Sequence, residues 1–105
     1  MVRRLRFSVP LSEEDRVEVT FDKDQGRVVA FMVNYVATFQ GSDHSVVRYD
    51  TAHGFPHKDI CRPDGTVDHK ERMAGYDLLA LADEAIEDVK RNWGVYRGRF
   101  ERWMP

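Results

Sequence analysis

The sequence predicts an α+β domain: an antiparallel sheet of four to six strands with a long C-terminal helix packed on one face. Two observations predict it. Residues 3–61 repeat short apolar–polar alternations of period two, broken by glycine- and proline-bearing turns. Residues 76–92 then change to a helical period. Strands first and one helix last place the helix against one face of an antiparallel sheet. A chain of 105 residues makes this a single domain spanning residues 1–105.

Arg3–Val9 reads as the first strand, and residues 10–15 as a turn region in which Ser12 caps one short helical turn. In Val17–Phe21, Val17, Val19 and Phe21 alternate with Glu18 and Thr20, as in a half-buried strand. Residues 22–26 form a hairpin loop ending in glycine. Arg27–Phe39 is the strongest strand, apolar on both faces at its start, which places it centrally in the sheet. At about 3.3 Å per residue it spans roughly 43 Å, against a radius of gyration near 13 Å for a domain of this size. Such a strand must bend, bulge or reach toward a partner chain, and a homodimer is expected on that ground. A second hairpin loop at residues 40–43 leads to a strand at His44–Asp50. A loop at residues 51–56 precedes a short strand, His57–Cys61, which Arg62-Pro63-Asp64-Gly65 ends as a turn. Residues 66–75 are ambiguous: Asp68 with Glu71 fits a helix-capping box, yet Gly75 interrupts any helix that follows. Tyr76–Asn92 is helical, with Leu78, Leu81, Ala82, Ala85, Val89 and Trp93 on one stripe. Gly94 stands where a helix-ending glycine belongs, and Tyr96, Phe100 and Trp103 are spaced for a second short helix.

Composition removes several classes of function. One cysteine excludes an internal disulfide and a cysteine-based zinc cage. A net charge of −2 gives no global attraction to nucleic acid. No apolar run approaches the roughly 18 residues of a membrane span, and the first residues lack the apolar stretch of a signal peptide. The expected compartment is the cytoplasm, with no membrane partner. Charge is uneven along the chain: Arg3, Arg4 and Arg6 make a basic start, and Glu13, Glu14 and Asp15 an acidic cluster.

All four histidines lie between residues 44 and 69. If residues 46–50 and 57–61 pair across the 51–56 loop with Asp50 opposite His57, then Arg48 lies opposite Asp59 and Val47 opposite Ile60. Alternation points Val47, Tyr49 and Ile60 to the core and Arg48, Asp50, His57 and Asp59 to the other face. Two complementary pairs thus arise from one register. As structure alone, each contributes about 0.2–1 kcal/mol. As chemistry, a carboxylate beside His57 suits it to proton transfer, Arg48 offers a planar fork for a phosphate, and His53 on the loop supplies a second proton-transfer group. This set suits transphosphorylation of RNA, in which the 2′-hydroxyl loses a proton and the leaving oxygen gains one. The same Asp50, His53, His57 and Asp59 also offer two nitrogens and two oxygens to a metal, although Gly54 and Pro56 forbid the helical spacing of many zinc sites. We expect no metal and no cofactor.

The run Val47-Arg48-Tyr49-Asp50-Thr51-Ala52-His53-Gly54-Phe55-Pro56-His57-Lys58-Asp59 resembles the "RYD…H…PH" signature of small bacterial and archaeal proteins, one branch of which comprises TumE-like toxins of toxin–antitoxin modules. The resemblance implies Arg48, Asp50, His53 and His57 as signature residues, and an antitoxin protein or RNA as partner. In the toxin branch a histidine often follows two places after the second signature histidine. Asp59 stands there in this chain, which points to a sister family.

The tail interleaves aromatics with arginines, so Arg97, Arg99, Phe100, Arg102 and Trp103 are candidate RNA-binding residues, through stacking on bases and contacts to phosphates. Alternatively these aromatics cover one end of the core. Two functions therefore stand open: a ribonuclease-like toxin with His57, His53, Asp50 and Arg48 as its catalytic set, or a non-enzymatic dimeric interaction protein whose histidine-rich hairpin is structural.

Overall fold

The computed structural model describes residues 1–105 apart from the side chain of His53. Six antiparallel strands form one sheet in sequential order: β1 (Val2–Pro10), β2 (Asp15–Asp24), β3 (Arg27–Phe39), β4 (Ser42–Asp50), β5 (His57–Cys61) and β6 (Val67–Arg72). One helix, α1 (Leu78–Arg102), packs across β3 and β4. The predicted α+β class is the observed one. No helix of the described residues is long and apolar enough to cross a membrane.

Two hairpins use the same dipeptide. Gln25-Gly26 and Gln40-Gly41 all have positive φ, between 51° and 80°. Two such residues in succession match the right-handed twist of the flanking strands, and glycine occupies the second position without steric cost. Both turns are therefore shorter than the sequence suggests, and β2 runs on to Asp24 while β4 begins at Ser42. The residues between β1 and β2 form no helical turn. Ser12 Oγ instead donates to Asp15 Oδ2 at 2.6 Å.

β3 is third in the sheet, and its 13 residues lie within a molecule 45 Å along its longest axis. A register shift against β4 at Tyr35/Val36 and another against β2 at Asp22/Lys23 break its pairing. Within the ambiguous residues 66–75, Val67–Arg72 form β6, an exposed edge strand with Asp68 and Glu71 on it rather than at a helix start.

The core lies on one face of the sheet. Val17, Val19, Val33, Tyr35, Val47, Tyr49 and Ile60 meet Leu81, Ala82, Ala85, Val89, Tyr96 and Phe100 of α1. Asp77 starts the helix by accepting from the Ala80 N–H at 3.2 Å. Gly94 does not end it. The helix runs unbroken to Arg102, because Tyr96 and Phe100 are buried against the sheet and their burial outweighs the propensity cost of one glycine. Gly94 is exposed, with nothing within 4 Å of an added Cβ. Gly94→Ala is accordingly expected to stabilise the protein by about 0.5–1 kcal/mol, read as a raised urea midpoint.

Two carboxylates fasten the helix, Asp15 buried and Asp88 partly buried. Asp88 accepts hydrogen bonds from Tyr49 Oη, from Tyr96 Oη at 2.7 Å, from Lys58 Nζ at 3.1 Å and from Asn92 Nδ2 at 2.8 Å. Asp15 accepts from Arg97 Nη1 at 2.8 Å, from Tyr35 Oη at 2.5 Å and from Ser12. Burial pushes both carboxyls up, but these donors outweigh it and hold both below the usual carboxylate range. The stability they contribute is present above their unfolded value of about 3.9 and is lost as pH falls through their lower folded values. Acid unfolding is therefore expected below about pH 4, and Asp15→Asn and Asp88→Asn should each flatten that dependence in circular-dichroism titrations.

Candidate functional site

β4 and β5 pair with Asp50 opposite His57, Arg48 opposite Asp59 and Val47 opposite Ile60, the register that the charge pattern predicts. The pairing continues in both directions. Arg6, Thr20, Met32, Asp50, His57 and Arg72 stand in one row across all six strands. Ser8, Glu18, Asn34, Arg48, Asp59 and Lys70 form the next row. Side chains directly opposite in a sheet share a face. Both rows lie on the face away from α1, so the molecule has one apolar face under a helix and one polar face without one.

The structure brings Arg48, Asp50, His57 and Asp59 together on this polar face. His57 Nε2 lies 3.1 Å from Asp50 Oδ1 and 3.7 Å from Asp59 Oδ2. Arg48 spans the two carboxylates, with Nε 3.6 Å from Asp50 Oδ2 and a terminal nitrogen 3.5 Å from Asp59 Oδ2. Lys70 Nζ approaches Asp59 Oδ1 at 3.5 Å. His57 Nδ1 faces the carbonyl oxygen of Phe55 at 3.2 Å. The Phe55 ring lies edge-on to the imidazole, with centroids 5.9 Å apart, and the Arg72 guanidinium lies over the Phe55 ring at 4.9 Å.

Exposure divides the four residues. The side chains of His57 and Asp59 are 3% and 4% exposed, that of Asp50 16% and that of Arg48 36%. Asp50 also accepts the Ala52 N–H at 3.0 Å, which anchors the 3₁₀ turn Ala52–Gly54 between the strands. A solvent that reaches this face thus meets Arg48 and Asp50, with His57 and Asp59 behind them. The side chain of His53, the other expected proton-transfer group, lies outside the described residues.

An open groove of about 760 Å³ ends at Asp50. Thr20, Ala30 and Met32 lie along its length, Arg4 and Arg6 line the β1 side, and Asp50, Thr51 and Ala52 line the other. Arg4 is held by Asp22, at 2.7 Å from Nε and 3.0 Å from a terminal nitrogen. Arg6 makes no hydrogen bond or ion pair among the described residues. The sequence shows these arginines only as a basic start. What places them on the groove is their i, i+2 spacing on an edge strand in register with Thr20 and Asp22. Among the described residues no group of three or more His, Cys, Asp or Glu side chains is arranged to hold a metal ion.

The tail lies on the opposite side of the sheet. Phe100 is 1% exposed and stacks on Phe39 with centroids 5.6 Å apart, so its ring is not open to a base. Arg97 is held by Asp15, by Glu14 at 3.5 Å and by Glu101 at 3.1 Å, and it covers the Phe39 ring at 4.2 Å. Arg99 lies over Tyr96 and Trp103, and Arg62 covers Trp103 at 4.8 Å. Arg102 is exposed. Of the five residues expected to bind RNA, four are thus engaged in the fold itself. The tail does not converge on the groove, because the helix that carries it packs on the apolar face.

No curated protein and no solved structure matches the chain. A family model does match, over residues 2–105, and its description is "Domain of unknown function (DUF7718)". With its hairpin tetrad and groove carried on a sheet that this match covers throughout, the chain belongs to the DUF7718 family.

Proposed function

We propose that the protein acts on RNA as a toxin-like enzyme, cleaving phosphodiesters from the polar face of its sheet. The position of Asp50 carries this reading. Its carboxylate lines the end of the groove, its Oδ1 faces His57 and the Ala52 N–H, and its Oδ2 lies beside Arg48. An RNA backbone laid in the groove presents one phosphate to Arg48 and another to Arg6. Asp50 then takes the proton of the 2′-hydroxyl. That oxygen attacks the adjacent phosphorus, the bond to the 5′ oxygen breaks, and the leaving oxygen takes a proton from solvent. His57 is here a positioning residue, since it is buried and meets the substrate only through Asp50. The resemblance to TumE-like toxins supports the same reading and adds an antitoxin as partner.

The test is induction in a bacterial host. Wild type is expected to arrest growth, and a folded Asp50→Asn variant to permit it, with fragmented RNA in the arrested cells only. Normal growth with both, together with RNA left intact by the purified protein, would overturn the proposal.

One observation favours a second reading, a non-enzymatic interaction protein that acts as a homodimer. Both ring nitrogens of His57 face oxygens of the chain itself, so the imidazole is engaged within the hairpin without a ligand. On this reading sedimentation shows a stable dimer, and Asp50→Asn changes neither growth nor RNA.

A further inference from the structure

We infer that the outer edge of β1 is a docking site for an extended segment of a partner protein, in which Asp or Glu alternates with apolar residues. Such a segment would add a seventh strand to the sheet.

β1 closes one side of the sheet and pairs only with β2. It keeps register over nine residues without a bulge, and proline occurs only at its last position. An antiparallel ladder turns the N–H and C=O groups of every second residue outward at such an edge, where they can pair with another chain. The opposite edge differs. β6 is shorter, has a register shift against β5 and carries charges of both signs, features that discourage pairing.

The side chains of β1 specify the occupant. Arg3, Arg4 and Arg6 are its charged residues, with no acid among residues 2–10. Arg4 is neutralised by Asp22, whereas neither Arg3 nor Arg6 has a hydrogen bond or ion pair among the described residues. A second copy of β1 laid antiparallel in full overlap would set Arg6 against Arg6, and like charges opposite one another destabilise a strand pair. The edge therefore disfavours self-pairing and favours an acidic strand. Alternation supplies the rest of the specification. Arg4, Arg6 and Ser8 share the polar face with the groove, while Leu5, Phe7 and Val9 follow Arg3 on the helix face, on which Phe7 is 45% exposed. The matching strand is acidic on the first face and apolar on the second. Because Arg4 and Arg6 also line the groove, a strand added here would stand along its rim and control access to it. Pairing at the edge holds whatever the groove binds.

The test uses a capped peptide alternating glutamate and valine over about six residues, the length of a common strand, with a lysine–valine peptide as control. With the full-length ¹⁵N-labelled protein, amide shifts on titration are expected in β1 and the adjoining part of β2. Binding should weaken with salt. The variant Arg6→Glu, checked for fold by circular dichroism, should bind the glutamate peptide about tenfold more weakly, equivalent to exchanging one attractive cross-strand charge pair for a repulsive one, and should prefer the lysine peptide. If that variant does not fold, the comparison of the two peptides on wild type decides alone. Equal binding of both peptides, shifts elsewhere on the surface, or no shifts at about 1 mM peptide would overturn the inference.

Discussion

Replacing Phe100 with alanine is expected to cost about 3–5 kcal/mol, a large part of the roughly 5–15 kcal/mol that holds a domain of this kind folded. The ring is 1% exposed and stacks on Phe39, and His44 meets it edge-on at 5.7 Å. Nothing nearby is placed to fill the space, because Arg97 lies over the other ring of the stack and is fixed by Asp15. The loss is therefore that of the transferred apolar surface plus a cavity. Urea unfolding should show a much lower midpoint with an unchanged slope. Phe100→Leu should cost far less, below about 1.5 kcal/mol. Arg102→Ala, at an exposed position, should stay within about 0.5 kcal/mol. A Phe100→Ala protein of wild-type stability that bound RNA less well would return the tail to the nucleic-acid role that its composition suggests.

That contrast locates what can be read in the sequence. The strands are legible because period-two alternation runs through them, and the β4–β5 register because only one register places both charge pairs opposite one another. The tail is not legible in the same way. Arginines next to aromatics describe a helix that buries its rings and lays guanidinium groups over them as well as they describe an RNA-binding arm, and only the sheet beneath decides between the two. Gly94 misleads for a related reason, since a helix-ending glycine and a tolerated one are the same letter until burial of Tyr96 and Phe100 carries the helix past it. The Asp88 network was within reach. The alternation that sends Asp50 and His57 to the polar face sends Lys58 to the core side, and a lysine there requires a carboxylate, which the helix supplies. The groove was out of reach, because it combines β1 with the start of the 51–56 loop and depends on the order of all six strands.

The largest change in activity is expected from Asp50→Asn, and a different kind of change from His57→Ala. Asparagine keeps the shape of Asp50 and an oxygen that accepts from Ala52 N–H and faces His57, so the fold should lose about 1–2 kcal/mol, chiefly the pairing of Oδ2 with Arg48. It cannot take a proton from a hydroxyl, and cleavage of RNA should fall by about 10²–10⁴-fold. His57→Ala removes a buried group that stands between two carboxylates, 3.1 Å from Asp50 and 3.7 Å from Asp59. With Asp59 almost fully enclosed, that loss should cost about 3 kcal/mol of stability. If His57 acts only by holding Asp50, the fraction of His57→Ala protein that remains folded should retain part of the activity, whereas folded Asp50→Asn should retain almost none. Measuring cleavage per folded molecule therefore separates the residue that faces the substrate from the residue behind it. A His57→Ala protein of full stability with no activity would reverse the two roles and place the imidazole at the reacting atoms. Loss of stability in His57→Ala with no cleavage by wild type at all would leave the tetrad as a structural network, and the oligomer and the β1 edge would then carry the function.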